Sequence, residues 1–347
     1  KKLYFNGLGE FYYTNGITED IDSFMTISSH KAENIATISS IPMAPIDTSH
    51  PPKVMIPVGG GKDSVVTIEL LKNKAQLTCY VINSRGATEA TVDTANLSNN
   101  TIRARRTLDK NMLDLNKQGF LNGHTPFSAL VAFSSIIAGY LNGIGFVALS
   151  NENSANESTV AGSYVNHQYS KSYEFESDFR FYERNYINSN VYYFSFLRPI
   201  AELQIAMLFA RFKSYHNVFK SCNVGSKEDK WCGHCPKCLF VYIILSPFLT
   251  LKALDDIWGK RLFEDESLTE DFDKLCGILP EKPFECVGSR DEVNASIQAT
   301  IKIYEQNNIP LPALLTHYQD NTHNLSIDFS SYLKQFSSEH ALNGYFE

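Results

Sequence analysis

At 347 residues the chain has room for one large domain or two modest ones. Its 43% hydrophobic and 20% charged residues are ordinary for a soluble globular protein. A net charge of −7 argues against a broad nucleic-acid footprint, and no apolar run is long enough to span a bilayer.

The first fifty residues read as an N-terminal extension (1–50). Lys2–Tyr13 carries aromatics around Gly7-Leu8-Gly9 and predicts a short strand or hairpin. The chain starts at Lys1 without Met, so further residues upstream are expected, and no charged-then-apolar signal pattern follows. Ile35–His50 predicts a connector, closed by Pro51-Pro52, which cannot sit inside a regular element. From there strand and helix alternate, the pattern of a parallel α/β sheet with helices on both faces. Val54–Val58 is a short apolar strand, followed by Gly59-Gly60-Gly61 and an amphipathic helix opening at Asp63-Ser64. Gln76–Asn83 is the second strand, Asn99–Gln118 a polar helix, Ser128–Leu141 an apolar helix and Gly145–Ser150 the next strand. Leu203–Phe212 is helical, Cys222–Cys238 turn-rich, and Leu239–Leu251 an apolar helix. This core is expected to span 51–250, and residues 251–347 to form a charged, mostly helical tail.

The glycine run sits between strand and helix. There bare backbone N–H groups and the helix N-terminus can meet a phosphate. The plain alternative is an ordinary glycine-rich turn. The spacing is not that of Walker A, which ends Gly-Lys-Ser/Thr, because Lys62 is followed directly by Asp63-Ser64. The run resembles the PP-loop of the ATP pyrophosphatases, Ser-Gly-Gly-x-Asp-Ser, with Gly59 at the first position. The resemblance implies an adenine nucleotide alpha hydrolase-like fold and cleavage of ATP between the α- and β-phosphates. Gly59, Gly60 and Gly61 would then hold pyrophosphate through their N–H groups. Lys62 adds charge or faces solvent, Asp63 binds magnesium, and Ser64 bonds a phosphate oxygen. Asn83 and Arg85, at the end of the second strand, stand where such folds hold adenosine.

Of seven cysteines, Cys222, Cys232, Cys235 and Cys238 are clustered. An odd count with two overlapping Cys-x2-Cys pairs points to a metal site in a reducing compartment, hence the cytoplasm. Four thiolates predict a closed structural zinc knuckle. His234 as a substitute ligand, an iron–sulfur cluster and redox-active thiols remain alternatives. Cys79, Cys276 and Cys286 are expected to be structural. The segment resembles the zinc knuckle of the 7-cyano-7-deazaguanine synthases, which also carry a PP-loop.

In open α/β sheets ligands bind beyond the carboxyl ends of the strands. The polar segment after the strand at Gly145–Ser150 is therefore a candidate site. Asn151, Asn153, Asn156 and Arg198 are expected to bind substrate, Arg198 by clamping a carboxylate or phosphate. His124, in a helix-entry loop, joins them. His167 and Lys171 share a face if their segment is helical, and are the first candidates for acid and base. Glu152 and Glu157 stand behind them. A solvated polar loop is the plain alternative for the stretch.

Together, Pro57-Val-Gly-Gly-Gly-Lys-Asp-Ser64, Ser150-Asn-Glu-Asn-Ser-Ala-Asn156, Val165-Asn-His-Gln-Tyr-Ser-Lys-Ser172 and Trp231-Cys-Gly-His-Cys-Pro-Lys-Cys238 resemble the UDP-N-acetylmuramoyl-L-alanyl-L-glutamate epimerase family. The resemblance covers roughly residues 51–250. It implies an enzyme of peptidoglycan-precursor synthesis that inverts the terminal L-glutamate of UDP-MurNAc-L-Ala-L-Glu. It also implies ATP and Mg2+ as cofactors beside the structural Zn2+, and no nucleic-acid or membrane partner. Nothing in the sequence fixes the oligomeric state. Rival readings are another PP-loop ligase, such as a deazaguanine-type or tRNA-thiolating enzyme, and a non-catalytic nucleotide sensor.

Overall fold

A computed structural model of the chain describes residues 1–29, 51–160, 162–322 and 327–346. The connector expected at Ile35–His50 lies outside the described residues. Two short helices, α1 (Lys2–Gly7) and α2 (Gly9–Thr14), precede the core. The core proper begins with β1 (Lys53–Pro57), α3 (Lys62–Leu71), β2 (Gln76–Ile82), α4 (Gly86–Thr94), β3 (Thr101–Ala104) and α5 (Lys110–Lys117). It continues with α6 (Phe127–Leu141), β4 (Phe146–Leu149), α7 (Tyr173–Tyr182), β5 (Tyr192–Ser195) and α8 (Glu202–Phe209). The C-terminal part is helical: α9 (Pro236–Leu245), α10 (Leu251–Trp258), α11 (Thr269–Cys276), α12 (Arg290–Gln306), α13 (Ala313–Asn321) and α14 (Phe329–Tyr332).

The five strands form one parallel sheet in the order β3-β2-β1-β4-β5. Strands buried on both faces need apolar residues at successive positions, and Val54, Met55 and Ile56 are all fully buried. Their alternation divides the core. Val54 and Ile56 pack with Val65, Ile68, Leu203 and Phe240 on one face, toward α3, α8 and α9. Met55, Tyr80 and Val147 pack with Ile136, Phe175 and Phe179 on the other, under α6 and α7. The expected two-sided parallel sheet is therefore present. Among the described residues no helix is long and apolar enough to cross a membrane.

Three local expectations are corrected. Lys2–Tyr13 forms helices, not a strand or hairpin, and Gly7 serves close packing. A Cβ on Gly7 would stand 2.7 Å from the Pro126 ring, in the loop before α6. Asn99–Gln118 is not one helix. Thr101–Ala104 pairs in parallel with Cys79–Ile82 as an edge strand, and only Lys110–Lys117 is helical. Sheet pairing outweighs the weak helical pattern there. The apolar helix from Leu239 stops at Leu245, short of the expected Leu251: Ser246 is still helical (φ −60°, ψ −30°), but Pro247 has no N–H to continue the ladder. Strand β5 and helix α7 were not expected.

Candidate active site at the end of the parallel sheet

β1 is flanked by β2 on one side and β4 on the other, so the strand order reverses at β1. This is where an open parallel sheet leaves a crevice beyond its carboxyl ends. A cavity of about 500 Å³ opens there. It is walled by the glycine turn, by Arg85 and Thr88 at the start of α4, and by Asn151 after β4.

The turn is tightly held. Gly60 has φ +83°, and a Cβ on it would meet the backbone of Ala87 and Thr88 at 3.2 Å. Its carbonyl accepts from Lys220 N at 2.8 Å. Gly61 caps α3 without any side-chain hydrogen bond. Among the described residues nothing accepts from the N–H groups of Gly59, Gly60 or Gly61. The turn thus presents free donors beside an uncapped helix N-terminus, which suits an anion. Asp63 and Ser64 line the cavity, and Ser64 Oγ donates to Gly61 O at 3.0 Å.

Lys62 does not face solvent. It is 3% exposed and lies between Asp63 and Glu202, 2.5 Å from Glu202 Oε1. Burial works against the Asp63 carboxylate, but the Lys62 ammonium prevails and holds its pKa below the usual range. Asp63 is therefore a firm anion at the cavity wall.

The donor set fits a nucleotide triphosphate and its cation. Free N–H groups, the cations Arg85, Lys220 and Lys237, and one half-exposed carboxylate converge on one space. The N-terminus of α4 is taken, since Asp229 accepts from Gly86 N at 3.1 Å and Ala87 N at 3.0 Å. Asn83, with φ +52°, exchanges two hydrogen bonds with the Arg106 backbone and does not line the cavity.

The middle loops divide. Asn151, His124, His167 and Lys171 all line the cavity. His167 and Lys171 do not share an α-helix; His167 lies in a turn, and Lys171 closes the short 3-10 segment Tyr169–Lys171 that follows it. Arg198 is fully buried and donates to Glu152 O at 2.5 Å, to Lys171 O, and to Glu176 Oε2 at 3.3 Å. It supports the Lys171 backbone from behind and does not line the cavity. Glu152 is buried behind the wall, and Glu157 pairs with Lys282 at 2.6 Å. Asn156 accepts from Tyr173 N at 2.8 Å and lines a separate cavity of about 600 Å³. Asn153 lines neither cavity.

Around His167 lies a group that the sequence did not suggest. Glu10, from the N-terminal helices, hydrogen-bonds His167 Nδ1, and the His124 ring stacks at 4.2 Å. Cys286 lines the same cavity as His167 and Lys171, close enough for its charge to act on both. It was expected to be structural, yet it lies on the cavity wall. Burial opposes the His167 charge, but Cys286 and Glu10 overcome it and lift its pKa to about 9. Burial and then His167 push His124 down to about 4. Glu10, His124 and His167 bring their donor atoms within 4.8 Å of one another.

The four cysteines converge as a metal site requires. Their sulfurs all lie within 4.8 Å of one another, with Cys222–Cys235 at 3.8 Å and Cys232–Cys238 at 3.6 Å. Tetrahedral zinc–thiolate geometry calls for S···S of roughly 3.8 Å. Backbone N–H groups of Gly225 and Gly233 point at Cys222 and Cys238 at 3.2 and 3.3 Å. Such bonds spread the charge of four thiolates. The knuckle also builds the cavity wall, through Lys220, Ser221 and Lys237. Asn223 donates to Glu285 at 2.7 Å, and Lys237 donates to the Cys286 carbonyl. Replacing Cys235 with Ser is expected to lose the metal and lower Tm by roughly 5 °C or more. Metal analysis beside calorimetry checks this; a metal-free protein with unchanged Tm would contradict it.

Comparison with known proteins agrees with this geometry. The model of the MurL N-terminal domain matches residues 1–196, and that of the MurL C-terminal domain matches residues 217–326. A Xanthomonas oryzae pv. oryzae protein, UDP-N-acetyl-alpha-D-muramoyl-L-alanyl-L-glutamate epimerase, is 34% identical over 301 residues. That match covers 84% of this chain and 64% of the relative. Proteins of the same name from Salinispora tropica and a Micromonospora species are 37% and 33% identical. Those matches cover 72% and 88% of this chain, and 55% and 66% of the relatives. The chain thus spans between 55% and 66% of the length of these relatives. The two domain matches run through the glycine turn, the polar segment after β4 and the cysteine knuckle, and the chain belongs to the MurL family.

Proposed function

We propose that the chain inverts the terminal L-glutamate of UDP-MurNAc-L-Ala-L-Glu to D-glutamate in the cytoplasm, for peptidoglycan-precursor synthesis. The reaction consumes ATP, passes through an acyl-adenylate and releases AMP and pyrophosphate. One observation carries this reading. A single cavity joins an anion-receiving glycine turn to the proton-transfer group at His167 and Lys171. The relatives' printed name supplies the substrate.

The chemistry is coherent. A proton beside a carboxylate is hard to remove, because a dianion results. Adenylation removes that charge and acidifies the α-carbon. In this PP-loop reading, Gly59, Gly60 and Gly61 receive the phosphates through their N–H groups, and Ser64 stands beside them. Asp63 would hold magnesium, which would supply positive charge beside the phosphates. Arg85 and Lys220 face the same space, and Asn151 meets the dipeptide end. Arg198 acts from behind, by fixing Lys171. Zinc in the cysteine knuckle is structural, because four thiolates leave no open position.

The nearest alternative, a PP-loop ligase, shares adenylation but needs ammonia or sulfur. Pyrophosphate release with ATP, magnesium and UDP-MurNAc-L-Ala-L-Glu is expected to proceed without either donor. Release only after ammonia or sulfide is added would favour the ligase.

A further inference from the structure

The proposed proton transfer requires a base, and the residues expected to supply it are acids in this fold. Burial disfavours both charges. Even so, Cys286 and Glu10 raise the pKa of His167, and Cys286 and Glu152 raise that of Lys171. An imidazolium and an ammonium have no free lone pair to take a proton. The carboxylates on the wall are engaged. Asp63 pairs with Lys62, Asp229 holds the start of α4, and Glu285 accepts from Asn223.

We propose that the Cys286 thiolate removes the glutamyl α-proton, kept anionic by the Lys171 ammonium and the His167 imidazolium. This rests on the epimerase reading above.

The cavity is built around this group. Lys237, from the metal knuckle, fixes the Cys286 carbonyl, and Gln168 Nε2 fixes the next carbonyl, Val287 O, at 3.1 Å. Gln168 is 5% exposed and lines the same cavity, and its Oε1 has no partner among the described residues. A buried carbonyl oxygen without a donor is costly. Burial alone would push the Cys286 thiol up, but Lys171, His167 and Lys237 bring it down to about 6.

The step balances without a redox partner. The Cα–H bond breaks and an S–H bond forms on Cys286. The electron pair passes into the acyl carbonyl as an enolate. A water on the opposite face gives its proton to Cα, and the hydroxide left behind is neutralised by the proton that the Cys286 thiol gives up, so the thiolate and the water are both restored.

The test uses the full zinc-loaded chain in deuterium oxide with ATP, magnesium and UDP-MurNAc-L-Ala-L-Glu. The fold of Cys286→Ser is certified independently of activity, by a zinc content and thermal melt equal to the wild type's. Deuterium entry at Cα and D-glutamate formation should fall by about 10² or more. AMP release with wild-type deuterium entry in this variant overturns the thiol assignment alone. Wild-type protein that forms neither AMP nor D-glutamate overturns the epimerase reading, and the thiol's role with it. Iodoacetamide labelling, read by mass at the Cys286 peptide, supplies a second readout. A lowered pKa leaves the thiolate present above pH about 6, whereas an ordinary thiol needs about 9. Half-maximal labelling near pH 6, moved toward 9 in Lys171→Met, supports the proposal. Labelling that becomes half-maximal only near pH 9 in the wild type overturns it.

Discussion

Asp63→Asn is expected to reduce substrate-dependent AMP and pyrophosphate release by about 10² or more, with little loss of stability. The carboxylate is the firm anion at the mouth of α3, held charged by Lys62. Asn fits the same space and can still accept from Lys62, which keeps its second partner, Glu202, at 2.5 Å. What disappears is the negative oxygen that a magnesium ion requires. Removing a single preorganised electrostatic contact typically costs 10²–10³ in rate. Thermal melts and product assays on one preparation separate the two effects. Full AMP release from a folded Asn variant would remove Asp63 from the phosphate site.

Lys62→Met is expected to be the most destabilising single change at the site, by about 3–5 kcal/mol. Lys62 and Glu202 are both almost fully buried, and Glu202 Oε2 already lacks a partner. Burial raises the pKa of Glu202, and the Lys62 charge is what opposes that rise. Without Lys62, Glu202 must either take a proton or remain an unpaired buried charge. Pairing Lys62→Met with Glu202→Leu removes both charges and should recover most of the loss, since breaking a buried pair costs more than replacing it. Urea unfolding of the single and double variants measures this. A single variant as stable as wild type would mean that the pair contributes no net stability.

Local chemistry made the sheet and the two motifs legible. Val54–Val58 followed by three glycines can hardly be other than a strand and a sharp turn. Cys-x2-Cys spacing brings thiolates together whatever surrounds it. What the sequence hid depends on long-range contact. Thr101–Ala104 becomes a strand only because β2 offers an open edge. Lys62 resembles a solvated lysine until Glu202, from α8, closes over it. Glu10 and Cys286 lie far apart in the chain and meet at His167 through tertiary packing. The cysteine in particular carries no local signal. Its surroundings are assembled by Lys237 of the knuckle and by Lys171, whose backbone Arg198 supports. Arg198 itself looked like a substrate clamp because Arg suits carboxylates, yet it is fully buried off the cavity and both of its terminal nitrogens donate to protein oxygens.

The most direct test of the central claim is the configuration of the product's glutamate. Zinc-loaded protein is incubated with UDP-MurNAc-L-Ala-L-Glu, ATP and magnesium. AMP is quantified, and the product is hydrolysed for chiral analysis. The account predicts D-glutamate and AMP appearing together, both lost in Asp63→Asn. Unchanged L-glutamate with no AMP, from folded and metal-loaded protein, would contradict it.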